Sequence, residues 1–170
     1  MSRRHCFGVD AVLVTHEHYD HVDELRLAGL ACPVFAPAGA ALTRIDVQAV
    51  QPGRLFTVAG LEVRAVGGRH AAVVAEQQTC ANVGYVVGGV YHPGDALDPP
   101  PHAVESLLVP MQASWLKTAE GIEFLRSAEY QRAFGIHDGQ INDRAINSIN
   151  HWYNVGSNGR YHYLPPGSSH

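Results

Sequence analysis

Four side chains that can bind metal ions lie within six residues near the start of the chain. The stretch THEHYDH follows the apolar run AVLV and contains His16, His18, Asp20 and His21. Alternate residues of an extended segment face the same side, so His16 and His18 can point toward one ion. Asp20 and His21 would follow at the start of a helix, where they can bind a second ion. Incidental histidines at an acidic helix start are the alternative, but four potential ligands in six residues favour a metal site.

Three further metal-ligating side chains follow later strands of the sequence. His70 comes after a strand and a Gly-Gly pair in AVGGRHA, Asp95 after a strand and a Pro-Gly pair in VYHPGDAL, and His137 ends the strand in AFGIHDG. Glycine beside each residue lets the backbone bend and aim the side chain. A single histidine at a strand end is more often structural, but the three together with THEHYDH predict one shared site.

The remaining pattern predicts one α/β domain over residues 1–170, because strands and helices alternate without a repeat or a linker. Strands are predicted in DAVLVT, CPVFAP, SLLVPM, RAFGIH and RYHYLPPG, and hairpins in RLFTVAGLEVRAV and ANVGYVVGGVYH. Helices are predicted from Asp20 to Gly29, in the first half of GAALTRIDVQAV, in TAEGIEFLRSAE with Thr118 as its cap, and in NDRAINSINHWY.

Composition excludes several classes of protein. Hydrophobic residues make up 46% of the chain and charged residues 16%, the net charge is -4, and Lys117 is the only lysine. No basic patch suits a nucleic acid or an anionic membrane. No leader peptide is visible, and no apolar run reaches the ~18 residues of a membrane span. We therefore predict a cytoplasmic protein. The three cysteines, Cys6, Cys32 and Cys80, are interpreted as buried or free thiols.

The order of these ligands and the sequence segments around them resemble those of the metallo-β-lactamase superfamily. The segments GGRHA, YHPGDAL, VPMQASWLK and GIHDG are most similar to its lactonase-like metal-dependent hydrolases. The resemblance implies a four-layer αββα sandwich with two metal ions at one edge of its sheets. It further implies that His16, His18 and His70 bind the first ion, that Asp20, His21 and His137 bind the second, and that Asp95 bridges the two.

The implied cofactors are two divalent ions, with zinc favoured and manganese or iron as alternatives. Such a pair activates a water as hydroxide, which predicts hydrolysis of a small ester, lactone, amide or phosphoester. Asp20 is the candidate catalytic side chain, because it can orient the nucleophile or take up a proton. The alternatives are a phosphodiesterase or nuclease of the same fold, which the low lysine content disfavours, and a metal-binding remnant without turnover.

Several polar and aromatic residues near the motifs have less certain roles. Asp98, Tyr91 and Asp138 are candidates for orienting the imidazoles, and ordinary polar loop residues are the alternative. Trp115 is expected either to line the pocket or to lie in the core. His92 is expected near the metals without being a ligand. The other five histidines are interpreted as surface or structural residues: His5, His102, His151, His162 and His170.

The sequence before the first motif is short for this family. Members normally carry several strands there, whereas fifteen residues precede His16 in this chain. We therefore expect a sandwich that is truncated at its N-terminus. The DAVLVT strand would then expose an edge that could pair with a second copy, which makes a homo-oligomer possible. The expected partner is otherwise a small-molecule substrate, with no nucleic acid and no membrane.

Overall fold

The computed structural model describes residues 8–169, and the strands of this part form two sheets. The smaller sheet has three parallel strands in the order β1-β2-β3. Its strands are β1 (Val12–Leu13), β2 (Val34–Pro37) and β3 (Gln48–Val50). The predicted strand in DAVLVT is therefore present but short, and within the described residues it pairs with β2 alone and lies at the edge of the sheet.

The larger sheet has seven strands in the order β10-β9-β8-β7-β6-β5-β4. They are β4 (Leu55–Val58), β5 (Leu61–Val66), β6 (Gly84–Val87), β7 (Val90–His92), β8 (Val104–Pro110), β9 (Tyr130–Ile136) and β10 (Tyr161–His162). Strands β4 to β7 pair antiparallel, and β7 to β10 pair parallel. Consequently β5, β7, β8 and β9 all end at one edge of the sheet, and β6 begins there.

Both predicted hairpins are confirmed. Ala59 and Gly60 connect β4 to β5, and Gly88 and Gly89 connect β6 to β7, with positive φ at all four residues. Two central residues with positive φ are typical of the tight turn whose twist matches that of paired antiparallel strands. The turns therefore fix the register that places His70 and Asp95 just beyond the ends of β5 and β7.

Three helices cover the outer faces of the sheets. They are α1 (Glu24–Leu27), α2 (Thr118–Ser127) and α3 (Asp143–Gly156). Asn142 caps α3 by accepting the backbone N–H groups of Arg144 and Ala145. Among residues 8–169, no helix combines the length and the hydropathy that a bilayer span requires.

Three apolar clusters separate four layers. The first packs α1 on the smaller sheet around Val14, Val34 and Ala36. The second lies between the sheets and includes Phe35 from one and Tyr85 from the other. The third packs the larger sheet against α2 and α3 and is the largest of the three. This order of layers confirms the predicted αββα sandwich.

The starts of two helices were predicted at the wrong residue. The helix expected from Asp20 begins at Glu24 instead, because residues 18–22 form a turn and Asp23 caps the helix by accepting the N–H of Arg26. Asp20 thus lies in a loop and not in a helical first turn. The cap of α2 is likewise Lys117, and Thr118 is its first helical residue.

The helix expected in the first half of GAALTRIDVQAV does not form. This stretch is a loop that leads into β3. Gly39 has a φ of 89°, and the backbone N–H groups of Ala41 and Arg44 donate to the carboxylates of Glu17 and Glu24. These carboxylates come from the ligand-bearing loop and from α1, so tertiary contacts engage N–H groups that a helix would have used.

Candidate metal centre

The first group of candidate ligands consists of His16, His18 and His70. Their ligand atoms all lie within 4.8 Å of one another. The ring centroids are 4.7 Å apart for His16 and His18, and 4.5 Å apart for His18 and His70. His16 and His70 are buried, whereas His18 lies nearer the surface. The segment after β1, which carries His16 and His18, thus lies next to the segment after β5, which carries His70.

The second group consists of Asp20, His21 and His137, whose ligand atoms also lie within 4.8 Å of one another. The His21 and His137 rings stack with centroids 5.2 Å apart. Nε2 of His137 is 3.7 Å from Oδ2 of Asp20. The structure therefore brings together all six end ligands that the sequence predicted, in two sets of three.

Asp95 lies between the two groups. Its Oδ1 is 3.3 Å from Nε2 of His21, and its Oδ2 is 3.5 Å from Nε2 of His70 and 3.6 Å from Nε2 of His137. One carboxylate thus reaches a member of the first group and two members of the second. This is the placement that a bridging ligand requires.

Three of the imidazoles bind a partner outside the cluster through Nδ1. The partners are the Thr15 hydroxyl for His16, the Ala71 carbonyl for His70 and the Gln112 carbonyl for His137, at 3.1, 2.6 and 2.5 Å. A carbonyl only accepts, so in His70 and His137 the proton is on Nδ1 and the lone pair is on Nε2. Partners of this kind orient the imidazole ligands of metal sites.

Four polar atoms of the cluster are buried without a hydrogen-bond partner. They are Nε2 of His16, His21 and His70 and Oδ1 of Asp95. Although His21 Nε2 and Asp95 Oδ1 are only 3.3 Å apart, they do not form a well-aligned hydrogen bond. Buried lone pairs without a partner are costly unless a cation satisfies them. Five imidazoles and two carboxylates in this arrangement fit a pair of divalent ions.

The pKa shifts favour the metal-binding forms of two central side chains. Burial, reinforced by the neighbouring His21, lowers the pKa of His16 to about 3. Burial alone would raise the pKa of Asp95, but interactions with His21 and His70 outweigh it and hold the pKa below its ordinary value. At neutral pH His16 is therefore neutral and Asp95 is ionised, as metal ligation demands.

Residues 2–131 match the model of a protein family described as the beta-lactamase superfamily domain. The chain belongs to this superfamily. It is also 39% identical over 142 residues to Protein Rv0786c of Mycobacterium tuberculosis, a match that covers 76% of this chain and 67% of that protein. The resemblance that the ligand order suggested is confirmed.

Solved structures share this fold at low sequence identity. A protein of Parabacteroides distasonis described as a metal-dependent hydrolase gives a TM-score of 0.72 at 16% identity, covering 91% of this chain and 75% of that chain. Igni18, a metallo hydrolase of Ignicoccus hospitalis, gives 0.68 at 16%, covering 94% and 77%. CmlA, a diiron β-hydroxylase of Streptomyces venezuelae, gives 0.60 at 14%, covering 92% and 44%. At such identities the likeness shows the metallo-β-lactamase fold alone.

A segment without predicted ligands connects the ligand loops of this metallo-β-lactamase fold. We call residues 80–83 the lead segment, because they run into β6. The Cys80 carbonyl accepts the N–H of His70 at 3.1 Å, and the N–H of Val83 donates to the Thr15 carbonyl at 2.9 Å. The lead segment thus joins the loop of the first motif to the loop of His70.

Asn82 in the lead segment holds the turn that carries Asp95. Its side chain is fully buried. Its Nδ2 donates to the Pro93 carbonyl at 2.9 Å, and its Oδ1 accepts the N–H of Asp95 at 3.0 Å. Asn82 was not predicted, because it precedes a strand, whereas the predicted ligands follow the ends of strands. The available signal was the hairpin, because β6 must begin at the edge where β5 and β7 end.

Trp115 lies at the site, as one of the two expectations had it. Its Nε1 donates to Oδ2 of Asp95 at 3.1 Å, and its ring centroid is 6.2 Å from that of His70. The indole N–H therefore orients the Asp95 carboxylate. Both oxygens of this carboxylate remain acceptors.

The residues proposed to orient imidazoles make their hydrogen bonds elsewhere. The Tyr91 hydroxyl donates to the Asp98 carbonyl at 2.7 Å, and the Tyr163 hydroxyl donates to Asp138 at 2.6 Å. The Asp98 carboxylate lies against Gly67. The alternative of ordinary structural residues therefore fits these three better.

His92 lies behind the second group, as expected for a residue near the metals. Its Nδ1 accepts the N–H of Gly94 at 3.0 Å. With His21 it lines a cavity of about 420 Å³ between the sheets, which β1 borders on one side. Burial and the nearby His21 lower the pKa of His92 to about 4.

The other histidines lie away from the two groups. His102 and His151 are exposed, and His162 packs against Phe134 with ring centroids 5.7 Å apart. His5 and His170 lie outside the described residues, as does Cys6.

Proposed function

We propose that this protein is a metal-dependent hydrolase of a small molecule that holds two divalent ions. The observation that carries the proposal is the position of Asp95, between two sets of ligands whose buried atoms lack partners. The first ion would be held by His16, His18 and His70, and the second by Asp20, His21 and His137, with Asp95 shared between them. Zinc is favoured, and manganese or iron suit the same donors.

When bound, such a pair supplies an activated water near neutral pH and polarises the substrate oxygen. Asp20 is the acidic ligand nearest to solvent, with 34% of its side chain exposed. From there it can orient the attacking water or accept its proton. Trp115 keeps Asp95 in place through its indole N–H, so the shared carboxylate does not turn away from either group.

The surroundings of the site support a small substrate with an apolar part. Tyr19 lies between His18 and Asp20 and is 89% exposed, and Val73 and Val74 in the loop after His70 are about half exposed, at 52% and 58%. Apolar side chains beside a few polar groups are typical of small-molecule sites. A small ester, lactone, amide or phosphoester remains the proposed substrate class, and a nucleic acid is disfavoured by the single lysine and the net charge of -4.

The diiron relative CmlA motivates one second candidate. CmlA is a diiron β-hydroxylase, so the second candidate is an iron-dependent hydroxylase. Here the donors of both groups are imidazoles and carboxylates, and this set suits iron as well as zinc. A zinc content would favour the hydrolase, because zinc has no redox chemistry. Iron would be compatible with both candidates, and the hydrolase substrate panel would then discriminate them.

The test is elemental analysis of protein purified without chelator, followed by a hydrolase substrate panel. We expect two ions per chain, activity lost on chelation, and activity restored by zinc or manganese. His151→Ala is the matched control, because this exposed histidine lies outside the groups. Less than one tightly bound ion per two folded chains would overturn the proposal. A rate that chelator does not change would exclude metal-dependent hydrolysis.

A further inference from the structure

His18 differs from the other anchored imidazoles of the site in its partner. His16, His70 and His137 each bind an oxygen atom through Nδ1. His18 instead places its Nε2 3.7 Å from the sulfur of Cys80. This distance is within the range of a hydrogen bond to sulfur, and the two residues are 62 positions apart in sequence.

Cys80 contacts the first group at two points. Its sulfur meets His18, and its backbone carbonyl accepts the N–H of His70. The third member, His16, is fully buried with its Nε2 unpartnered, which independently indicates a bound cation at this group. Cys80 therefore lies beside two ligands of a site whose third ligand lacks a partner.

We propose that Cys80 is a positioning residue of the first metal group. Its sulfur accepts the Nε2–H of His18, which fixes the imidazole with the proton on Nε2 and the lone pair on Nδ1. The two ring nitrogens point away from each other, so Nδ1 is the atom left to bind the ion. The inference rests on the proposed metal-binding function and assigns a role to a side chain that supplies no ligand atom.

The geometry distinguishes this role from direct ligation. The three sets of mutually close ligand atoms found among residues 8–169 include His18 but not Cys80. The sulfur thus contacts His18 but does not join the three imidazoles as a fourth mutually close ligand atom.

The experiment compares metal affinity in Cys80→Ala, Cys80→Ser and Cys32→Ala by competition with a chromophoric zinc chelator. All three keep the backbone carbonyl that accepts from His70. Cys80→Ala removes the acceptor, and Cys80→Ser supplies a smaller one. Cys32 is the matched control, because it is also a partly buried free cysteine. Unfolding of the metal-free proteins is measured in parallel, and the cobalt-substituted wild type and Cys80→Ala proteins are compared by absorption spectroscopy.

We expect Cys80→Ala to bind the first zinc about 10–100-fold more weakly. Cys80→Ser should recover part of that loss, Cys32→Ala should bind like wild type, and the metal-free unfolding midpoints should agree. Equal zinc affinity in wild type and Cys80→Ala overturns the proposal. So does a matching loss of metal-free stability, which would mean a structural role, or a sulfur-to-cobalt absorption band that Cys80→Ala lacks, which would mean ligation. A wild type that binds neither zinc, manganese nor iron contradicts the proposed function itself.

Discussion

The two groups of candidate ligands differ in how firmly the protein holds them before any ion is bound. In the first group, His16 and His70 are buried, and their rings are fixed by Thr15 and Ala71. In the second group, Asp20 is exposed and sits in a loop. Ligands that are already ordered lose less conformational entropy on binding, so the first group is better prepared for an ion.

The second group depends on one strained residue. His137 follows β9 with a φ of 61°, a left-handed conformation that is uncommon for residues other than glycine. The hydrogen bond from its Nδ1 to the carbonyl of Gln112, two residues beyond β8, helps to keep it there. The first group is therefore largely buried and anchored, whereas the second is more exposed and contains a strained residue. Both groups lie next to the same carboxylate, Asp95.

The largest expected effect comes from removing what the two groups share. Asp95→Ala should abolish tight binding of both ions, because it removes a charge that faces both groups. His137→Ala should lose only the second ion and keep about one per chain. Elemental analysis after gel filtration measures both variants, with His151→Ala as the control. Equal metal loss in Asp95→Ala and His137→Ala would show that Asp95 does not bridge the groups.

Asn82→Ala should give the next largest effect, on stability. It leaves the Asp95 N–H and the Pro93 carbonyl buried without partners, at about 1–3 kcal/mol for each group. We therefore expect the metal-free protein to lose roughly 2–5 kcal/mol of unfolding free energy. Urea unfolding measures it.

The control for Asn82→Ala is Gln78→Ala, which changes an exposed amide in the same loop. Gln78→Ala should stay within about 0.5 kcal/mol of wild type. If Asn82→Ala is no less stable than Gln78→Ala, the two hydrogen bonds between the Asn82 side chain and the Asp95 turn do not stabilise the fold.

The sequence predicted which candidate ligands lie together, but not the residues that hold them in place. Histidine and aspartate in THEHYDH are visible without a structure, because ligation depends on residue type and local spacing. Asn82 and Cys80 are ordinary residues in a sequence. They contact the site only because β6 begins next to the ends of β5 and β7. That arrangement depends on strand pairing between segments that are distant in sequence.

The same distinction explains the helix errors. The expected helix after Gly39 has a plausible local pattern, but Glu17 and Glu24 engage the backbone of that loop through tertiary contacts. The hairpins and the other strands were predicted correctly, since alternation and turn glycines are local signals, but β3 was not predicted. The layers followed from the family resemblance and not from composition.

A smaller effect concerns the order in which the two groups bind zinc. The first group should bind more tightly, by about tenfold or more, because its imidazoles are buried and anchored. Calorimetric titration of the metal-free protein should then show two resolved binding events. In His137→Ala the tighter event should remain, and in His16→Ala it should disappear. A tighter event that survives in His16→Ala would reverse the proposed ranking of the groups.

A pH dependence is also expected from the cavity behind the second group. The ordinary pKa of His92 is 6.5, and in the folded protein burial and His21 lower it to about 4, while Asp95 partly opposes the shift. Between these values the unfolded chain binds a proton on His92 and the folded protein does not. Stability therefore falls as the pH is lowered from 6.5 toward 4, by up to about 1.4 kcal/mol per pH unit.

His92→Gln isolates this contribution, because other groups with depressed pKa values, such as His16, titrate in both proteins. Urea unfolding of the metal-free proteins at pH 7 and pH 5 should show a smaller loss of stability in His92→Gln than in wild type. His102→Gln is the matched control, since this histidine is exposed, and it should lose as much as wild type. Protonation would also break the bond from Gly94 to Nδ1, which gives the effect a structural cause next to the Asp95 turn. If wild type and His92→Gln lose the same stability between the two pH values, the fold does not hold His92 in its neutral form. The cavity lined by His21 and His92 is then as open to solvent as the exposed side of the second group.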